Sequence, residues 1–206
     1  MSGRERREQL LDVGRTVFAE KGFEATSIEE IAARASVSKP VVYEHFGGKE
    51  GLYAVVVDRE MRRLLERMTN ALHGRHPRAK LEQAAGALLS YIESEPDGFR
   101  ILVRDSPAVG GSGTYPSLIG DIASQVEYIL VDEFGSRGLD RKLAPLYSRA
   151  LVGMVALVGE WWVEAGKPKR DVVAAHLVNL AWNGLARLDP KPSLAAKRRT
   201  TPPGMG

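Results

Sequence analysis

Cysteine is absent from all 206 residues, which excludes disulfide cross-links and thiolate zinc sites and leaves the fold to its apolar core. Long apolar runs are scarce as well. The strongest, ALVGMVALVG from Ala150 to Gly159, is well short of the roughly 20 residues of a spanning helix, and Glu160 ends it. The opening stretch MSGRERREQLLDVGR carries charges but no apolar stretch of a secretory signal, so a cytoplasmic chain without a membrane segment is expected. A charge bias is missing from the body: the net +3 sits in the last residues, where Lys191, Lys197, Arg198 and Arg199 meet no acidic residue. Bulk charge therefore argues for no nucleic-acid partner, and any such case must rest on local geometry.

Catalytic and cofactor signatures are missing too. Gly110, Gly111 and Gly113 lack the following lysine of a phosphate loop and the preceding strand of a dinucleotide site. His73 and His76 stand three apart near a helix end, but no carboxylate pattern completes a metal site. Neither an enzyme nor a cofactor is expected.

What is present is helical spacing of apolar residues almost everywhere, with no segment alternating as a strand would. The fold class is all-α. A first helix carries Leu10, Leu11, Gly14, Val17 and Phe18 on one side and is capped at Gly22. A second starts at Thr26 or Ser27, since both fit a capping box with Glu29 or Glu30, and buries Ile28, Ile31, Ala32 and Ala35. Ser38 opens a third, whose first turn tolerates Pro40; Val42 and Phe46 face inward, and Gly47 and Gly48 end it. Longer helices are expected over 49–72, 79–94, 117–134, 141–165 and 169–188, with a short one around Phe99, Leu102 and Val103. Residues 107–116 read as a flexible loop, and 189–206, rich in proline and basic residues, as a disordered tail.

Two short helices joined by a tight turn, the second with a polar outer face, form a helix-turn-helix. The stretch GFEATSIEEIAARASVSKPVVYEHFGGKEGLY, residues 22–53, resembles the DNA-binding region of TetR-family transcriptional regulators. Its aromatic-x-x-Thr-Ser, Ile-Ala-x-x-Ala, Val-Ser, Tyr-x-His-Phe and Lys-x-x-Leu stand at that family's spacing. The resemblance implies a helix-turn-helix domain over 1–48, a helical ligand-binding and dimerisation domain over 49–188, and the tail.

With Val42 and Phe46 inward, helical geometry turns Lys39, Pro40, Tyr43 and Glu44 outward, with Val41 and His45 at the flanks. Ser38, Lys39, Tyr43, His45 and Lys49 can donate to phosphate oxygens, and Thr26 with the N–H groups opening the second helix makes another anion site. Lys39 can read guanine, and Pro40 or Val41 a thymine methyl. Glu44 fits only by accepting from a cytosine amino group or by facing a cation of a neighbouring element.

The helix around 150–163 is apolar nearly all round, so two surfaces must cover it. The resemblance implies that its outer side and the last helix form a homodimer interface, here Ala150, Gly153, Leu157, Trp161, Leu177, Leu180 and Gly184, placing two recognition helices on a palindromic operator. It also implies a pocket for a small-molecule effector, which releases a repressor by moving the helix that begins near Lys49. Candidate lining residues are Met61, Leu65, Met68, Leu88, Tyr91, Phe99, Leu102, Ile122, Val126, Met154 and Trp162, suited to a greasy aromatic or acyl ligand. Two alternatives stay open: a DNA-binding regulator without a ligand, as activator or architectural protein, and a helical interaction module that no longer binds DNA.

Overall fold

The computed structural model describes residues 2–71, 76–104 and 118–193. Among the described residues every regular element is helical: α1 Gly3–Ala25, α2 Ile28–Arg34, α3 Lys39–Phe46, α4 Lys49–Ala71, α5 Pro77–Ser94, α6 Pro96–Arg104, α7 Leu118–Ser136, α8 Ala144–Ala165 and α9 Arg170–Ala186. A single 3-10 turn, Arg141–Leu143, precedes α8, where one continuous helix from Arg141 was expected. The glycine-rich loop 107–116, His73 and the tail from 194 onward lie outside the described residues.

Local chemistry sets the ends of the first three helices. Ser2 and Glu5 close a capping box on α1, with Ser2 Oγ accepting from the Glu5 N–H at 3.3 Å and Glu5 Oε2 from the Ser2 N–H at 2.7 Å. Gly22, at φ +79°, breaks the helical path as expected of a capping glycine. Of the two candidate caps of α2 the chain uses Ser27, whose hydroxyl accepts from the Glu30 N–H at 3.2 Å. The turn from α2 to α3 is a Schellman turn: Val37 N–H reaches the Ala32 carbonyl at 2.9 Å and Ser36 N–H the Ala33 carbonyl at 3.1 Å. Its left-handed position, φ +54°, is held by Ser36, where glycine is the usual occupant. Gly47, at φ +73°, closes α3 by donating to the Tyr43 carbonyl at 2.7 Å.

Two larger cores follow. The first joins Leu10, Leu11, Val17 and Phe18 of α1 to Ile28, Ile31 and Ala32 of α2, Val42 of α3, and Leu52, Tyr53 and Val56 of α4. Its apolar surface thus runs through position 48/49, and Ile101 of α6 completes it. Phe18, Phe23 and Tyr53 meet there, the Phe18 and Tyr53 rings edge to face at 4.8 Å. The second core gathers Leu64, Leu89, Tyr91, Ile92, Phe99, Leu102, Trp162, Val173 and Leu177 from α4, α5, α6, α8 and α9. Gly159 lets α8 approach α5 and α6 so closely that a side chain there would strike Ile92 and Phe99. A smaller cluster pins α7 to α8 through Leu130, Phe134 and Ala144, and the Arg137 guanidinium caps the end of α9, donating to the Leu185 and Ala186 carbonyls at 2.9 and 3.0 Å.

Run length alone understated α8. With its preceding turn, Arg141–Ala165 is long and apolar enough by length and composition to cross a membrane, and little of its apolar window is buried within the protomer.

Candidate nucleic-acid interface

The eight residues of α3 are held by what surrounds them. Val42 is buried, and Arg7 of α1 donates to the His45 carbonyl at 2.7 Å while its guanidinium lies 4.4 Å over the Phe46 ring. Gly51, in the first turn of α4, sits so close beneath the Phe46 carbonyl that any side chain there would overlap it. The sequence reading missed both residues: Arg7 lies 38 positions from its partner, and an interior helical glycine has no local signature.

So clamped, α3 leaves Ser38, Lys39, Pro40, Tyr43 and Glu44 exposed, with Val41 and His45 half-buried at the flanks, the arrangement expected of a helix offered to DNA. Ser38 takes the N-cap position with its hydroxyl unused for capping, so that hydroxyl remains available to an anion, whereas Pro40 carries no N–H and the Val41 N–H already donates to the Ser38 carbonyl at 3.1 Å. Lys39 forms an ion pair with Glu29 of α2, a residue the sequence reading named only as a possible capping-box partner of Thr26. The Lys39 hydrogen bond, with Glu29's own backbone N–H and the Lys39 charge, holds the Glu29 carboxyl below the usual carboxylate range. Glu44 finds no ion-pair partner among the described residues, so the neighbouring cation considered for it is not there.

Two expected phosphate contacts are repositioned. Thr26 is buried, and its hydroxyl donates to the Gly22 carbonyl at 2.7 Å; it fixes the junction of α1 and α2 instead of facing DNA. Lys49 turns back onto the end of α1, its ammonium donating to the Phe23 and Glu24 carbonyls at 3.1 and 3.3 Å and lying 4.3 Å over the Phe23 ring. Two of its three donors are committed to holding α1 against α4.

Among the expected ligand-lining residues, Met61, Met68, Leu88, Tyr91, Phe99, Leu102, Ile122, Met154 and Trp162 do converge in the second core. Val126 packs in the α7–α8 cluster, and Leu65 is exposed. A cavity of about 50 Å³ lies at the α6–α8 seam, and of the expected set only Phe99 lines it. Drug-sized ligands occupy roughly 300 Å³ or more.

The expected interface residues divide in the same way. Leu157, Trp161 and Leu180 are 60%, 55% and 63% exposed, and Ala150 and Gly184 are exposed beside them. Leu146, 62% exposed, extends the α8 stripe by one turn, and Gly153 lies half-buried within it. Leu177 does not belong: its position on α9 turns inward, and it is buried in the second core. Among the described residues no group of three or more His, Asp or Glu side chains is placed to hold a metal ion.

With this geometry in hand, comparison with known proteins is informative. Residues 10–56 match the profile of bacterial regulatory proteins of the tetR family, and residues 65–196 that of the tetracyclin repressor-like C-terminal domain. The HTH-type transcriptional activator FasR of Mycolicibacterium smegmatis is 30% identical over 190 residues, 89% of this chain and 84% of that protein. An HTH-type transcriptional repressor of Mycobacterium tuberculosis is 39% identical over 75 residues, 36% of this chain and 38% of its own length. Among solved structures, a TetR-like transcriptional regulator from Rhodococcus sp. RHA1 superimposes with a TM-score of 0.72 at 30% identity, covering 88% of this chain and 96% of that one.

Proposed function

The chain belongs to the tetR family of bacterial regulatory proteins, DNA-binding transcriptional regulators and not enzymes, and on that premise we propose that it is a cytoplasmic homodimer that grips a palindromic operator with two copies of α3 and is controlled by a small, largely apolar effector. The observation that carries the DNA contact is α3 itself: a clamped helix with Val42 buried beneath and Ser38, Lys39, Pro40, Tyr43 and Glu44 exposed on top. Val41 and His45 flank that surface. Thr26 and Lys49 act behind it, holding α1, α2 and α4 in register. In the expected division of the chain, 1–48 reads DNA, 49–188 senses and pairs, and 189–206 is a tail.

The apolar stripes of α8 and α9, with Ala150, Gly153, Leu157, Trp161, Leu180 and Gly184, suit a second copy, because a lone protomer would leave them in water. The second core suits an effector that enters between α4, α5, α6 and α8 and opens that space further. Such a ligand shifts the population only by binding the opened arrangement more tightly. The direction of regulation then follows from where the operator lies. Occupancy over a promoter represses, which is the sequence-based expectation, and occupancy beside one activates, in line with the name of the full-length relative.

The test is binding of the purified protein to DNA flanking its own gene across a salt titration, with Lys39→Ala/Tyr43→Ala as control. Sequence-specific, salt-sensitive binding should weaken in the double variant by roughly 10- to 100-fold, the worth of one or two polar base or phosphate contacts. Equal affinity of parent and variant would remove α3 as the reading element. Equal weak binding on every DNA offered in a random-sequence selection would end the operator reading altogether.

A further inference from the structure

Away from the DNA face, one charged side chain among the described residues is fully buried. Glu60, on α4, is 0% exposed, and four elements converge on its carboxylate. Oε2 accepts from the Tyr91 hydroxyl of α5 at 3.0 Å, and Oε1 accepts from Arg63 of α4 at 2.9 Å. Gly98 of α6 presses its backbone on the same group so closely that a side chain there would overlap both Glu60 Oε2 and the Tyr91 hydroxyl. From α1, Arg15 approaches to 3.8 Å while donating to Glu95, at the start of α6, at 2.6 Å. We propose that the Glu60 carboxylate is the positioning joint through which movement of α6 against α4 is passed to α1, and so to the DNA-binding unit.

Three observations support this. Arg15 shares α1 with Leu10, Leu11, Val17 and Phe18, which belong to the same core as α2 and α3, so α1 cannot move without them. Apolar side chains slide past one another at little cost. A buried carboxylate cannot shed its partners so cheaply, because an unpaired charge away from water is strongly disfavoured. A push from the α6 backbone is therefore passed to the partners of Glu60 instead of being absorbed locally.

The joint also has a second arrangement within reach. Arg59 Nε and Arg15 Nε are buried without hydrogen-bond partners, and Arg59 Nε lies 3.7 Å from Glu60 Oε1, just beyond bonding distance. A shift of about 1 Å would let Glu60 satisfy Arg59 or take Arg15 from Glu95, so two ion-pair patterns compete over a small displacement. The proposal rests on the reading that the helical domain senses and the N-terminal unit binds DNA, and it names the residues by which one informs the other.

The chain has no cysteine, so Ala33→Cys on α2 and Lys80→Cys on α5, both at exposed positions, give one spin-label pair per protomer. Diluting labelled protein with unlabelled protein isolates the distance within a protomer, whatever the oligomeric state. Gly98→Ala should move the mean distance by about 2 Å or more, the scale of helix shifts in switching proteins. Glu60→Gln, which keeps the shape and removes the charge, should broaden the distribution. In an Arg15→Met background the shift caused by Gly98→Ala should fall to less than half, a readout that a merely space-filling role of Arg15 would not produce. If Gly98→Ala and Glu60→Gln melt cooperatively with distributions superimposed on the parent, or if the Gly98→Ala shift survives undiminished without Arg15, the joint is overturned. Should Gly98→Ala fail to fold, Glu60→Gln decides alone. A screen that finds no compound releasing the operator counts against ligand sensing and leaves these distances standing.

Discussion

The core of the DNA-binding unit and the outer faces of α8 and α9 are built from similar side chains and are in opposite states. In the first, Leu10, Val17, Ile31, Val42 and Leu52 are 0% exposed; in the second, Leu146, Leu157, Trp161 and Leu180 each leave more than half of their surface in water. A small unit that must present α3 in one fixed orientation needs its apolar contacts satisfied within the chain. In the proposed homodimer, the domain that pairs keeps some of them unsatisfied within the protomer. On that proposal the same residue types serve rigidity in one place and recognition in the other, and they differ in burial.

The comparison breaks most sharply at Phe18. Its ring packs between Phe23 and Tyr53, and Phe18→Ala should cost about 3–5 kcal/mol of stability, read from denaturant unfolding, whereas Leu157→Ala should leave the stability of an isolated protomer within about 0.5 kcal/mol. Equal losses at the two sites would mean that α8's outer side is covered within the protomer. Next in size is charge on the open faces. Leu157→Glu with Leu180→Glu should weaken self-association by roughly 100-fold or more, about 2.7 kcal/mol, by sedimentation, and operator affinity should fall with it. Unchanged association would place the pairing surface elsewhere.

Two smaller effects sharpen the account of the DNA unit. Ser36 stands in a left-handed conformation that favours glycine, so Ser36→Gly should raise the melting free energy by about 0.5–1 kcal/mol without altering operator affinity. Glu29 holds Lys39 in the free protein, so Glu29→Gln should free that ammonium and tighten operator binding by about threefold at low salt, less as salt rises. The sign of the pH dependence follows from the same pair. Because the Glu29 carboxyl is depressed on folding, the pair's contribution is present above the unfolded-state value and is lost as pH falls through the folded one. An NMR titration should show that carboxyl returning toward its ordinary range in Lys39→Ala.

The all-α class and the helix-turn-helix were legible because period and punctuation are local: Gly22, Ser27, Pro40 and Gly47 each act within one turn of themselves. The outer face of α3 followed from the same rule, since burying Val42 dictates where Lys39 and Tyr43 point. What stayed hidden depends on partners far along the chain. Thr26 sits at a spacing that suits phosphate contact, yet the Gly22 carbonyl claims its hydroxyl. Leu177 and Leu180 are both apolar residues of α9, and only the position of α5 decides that the first is core and the second surface. Leu65 and Val126 lie apart from the second core for the same reason: helical spacing says that a residue has a side, not what stands on it. Arg7 carries no local pattern because its partners lie on another helix, and the contacts of Glu29 with Lys39 and of Glu60 with Tyr91 and Arg15 likewise cross between helices.

Gly51 draws one more consequence from the fold. The recognition helix and α4 meet where its missing side chain leaves room for the Phe46 carbonyl. The aim of α3 is thus machined to a tolerance narrower than one methyl group, and it is held by an atom that is not there. Of the twenty amino acids, only one carries no side chain to intrude. Any replacement would tilt the reading surface by the width of that intrusion while leaving every group on it chemically unchanged. Such a variant would keep its alphabet and lose its alignment, like type set correctly on a page fed askew.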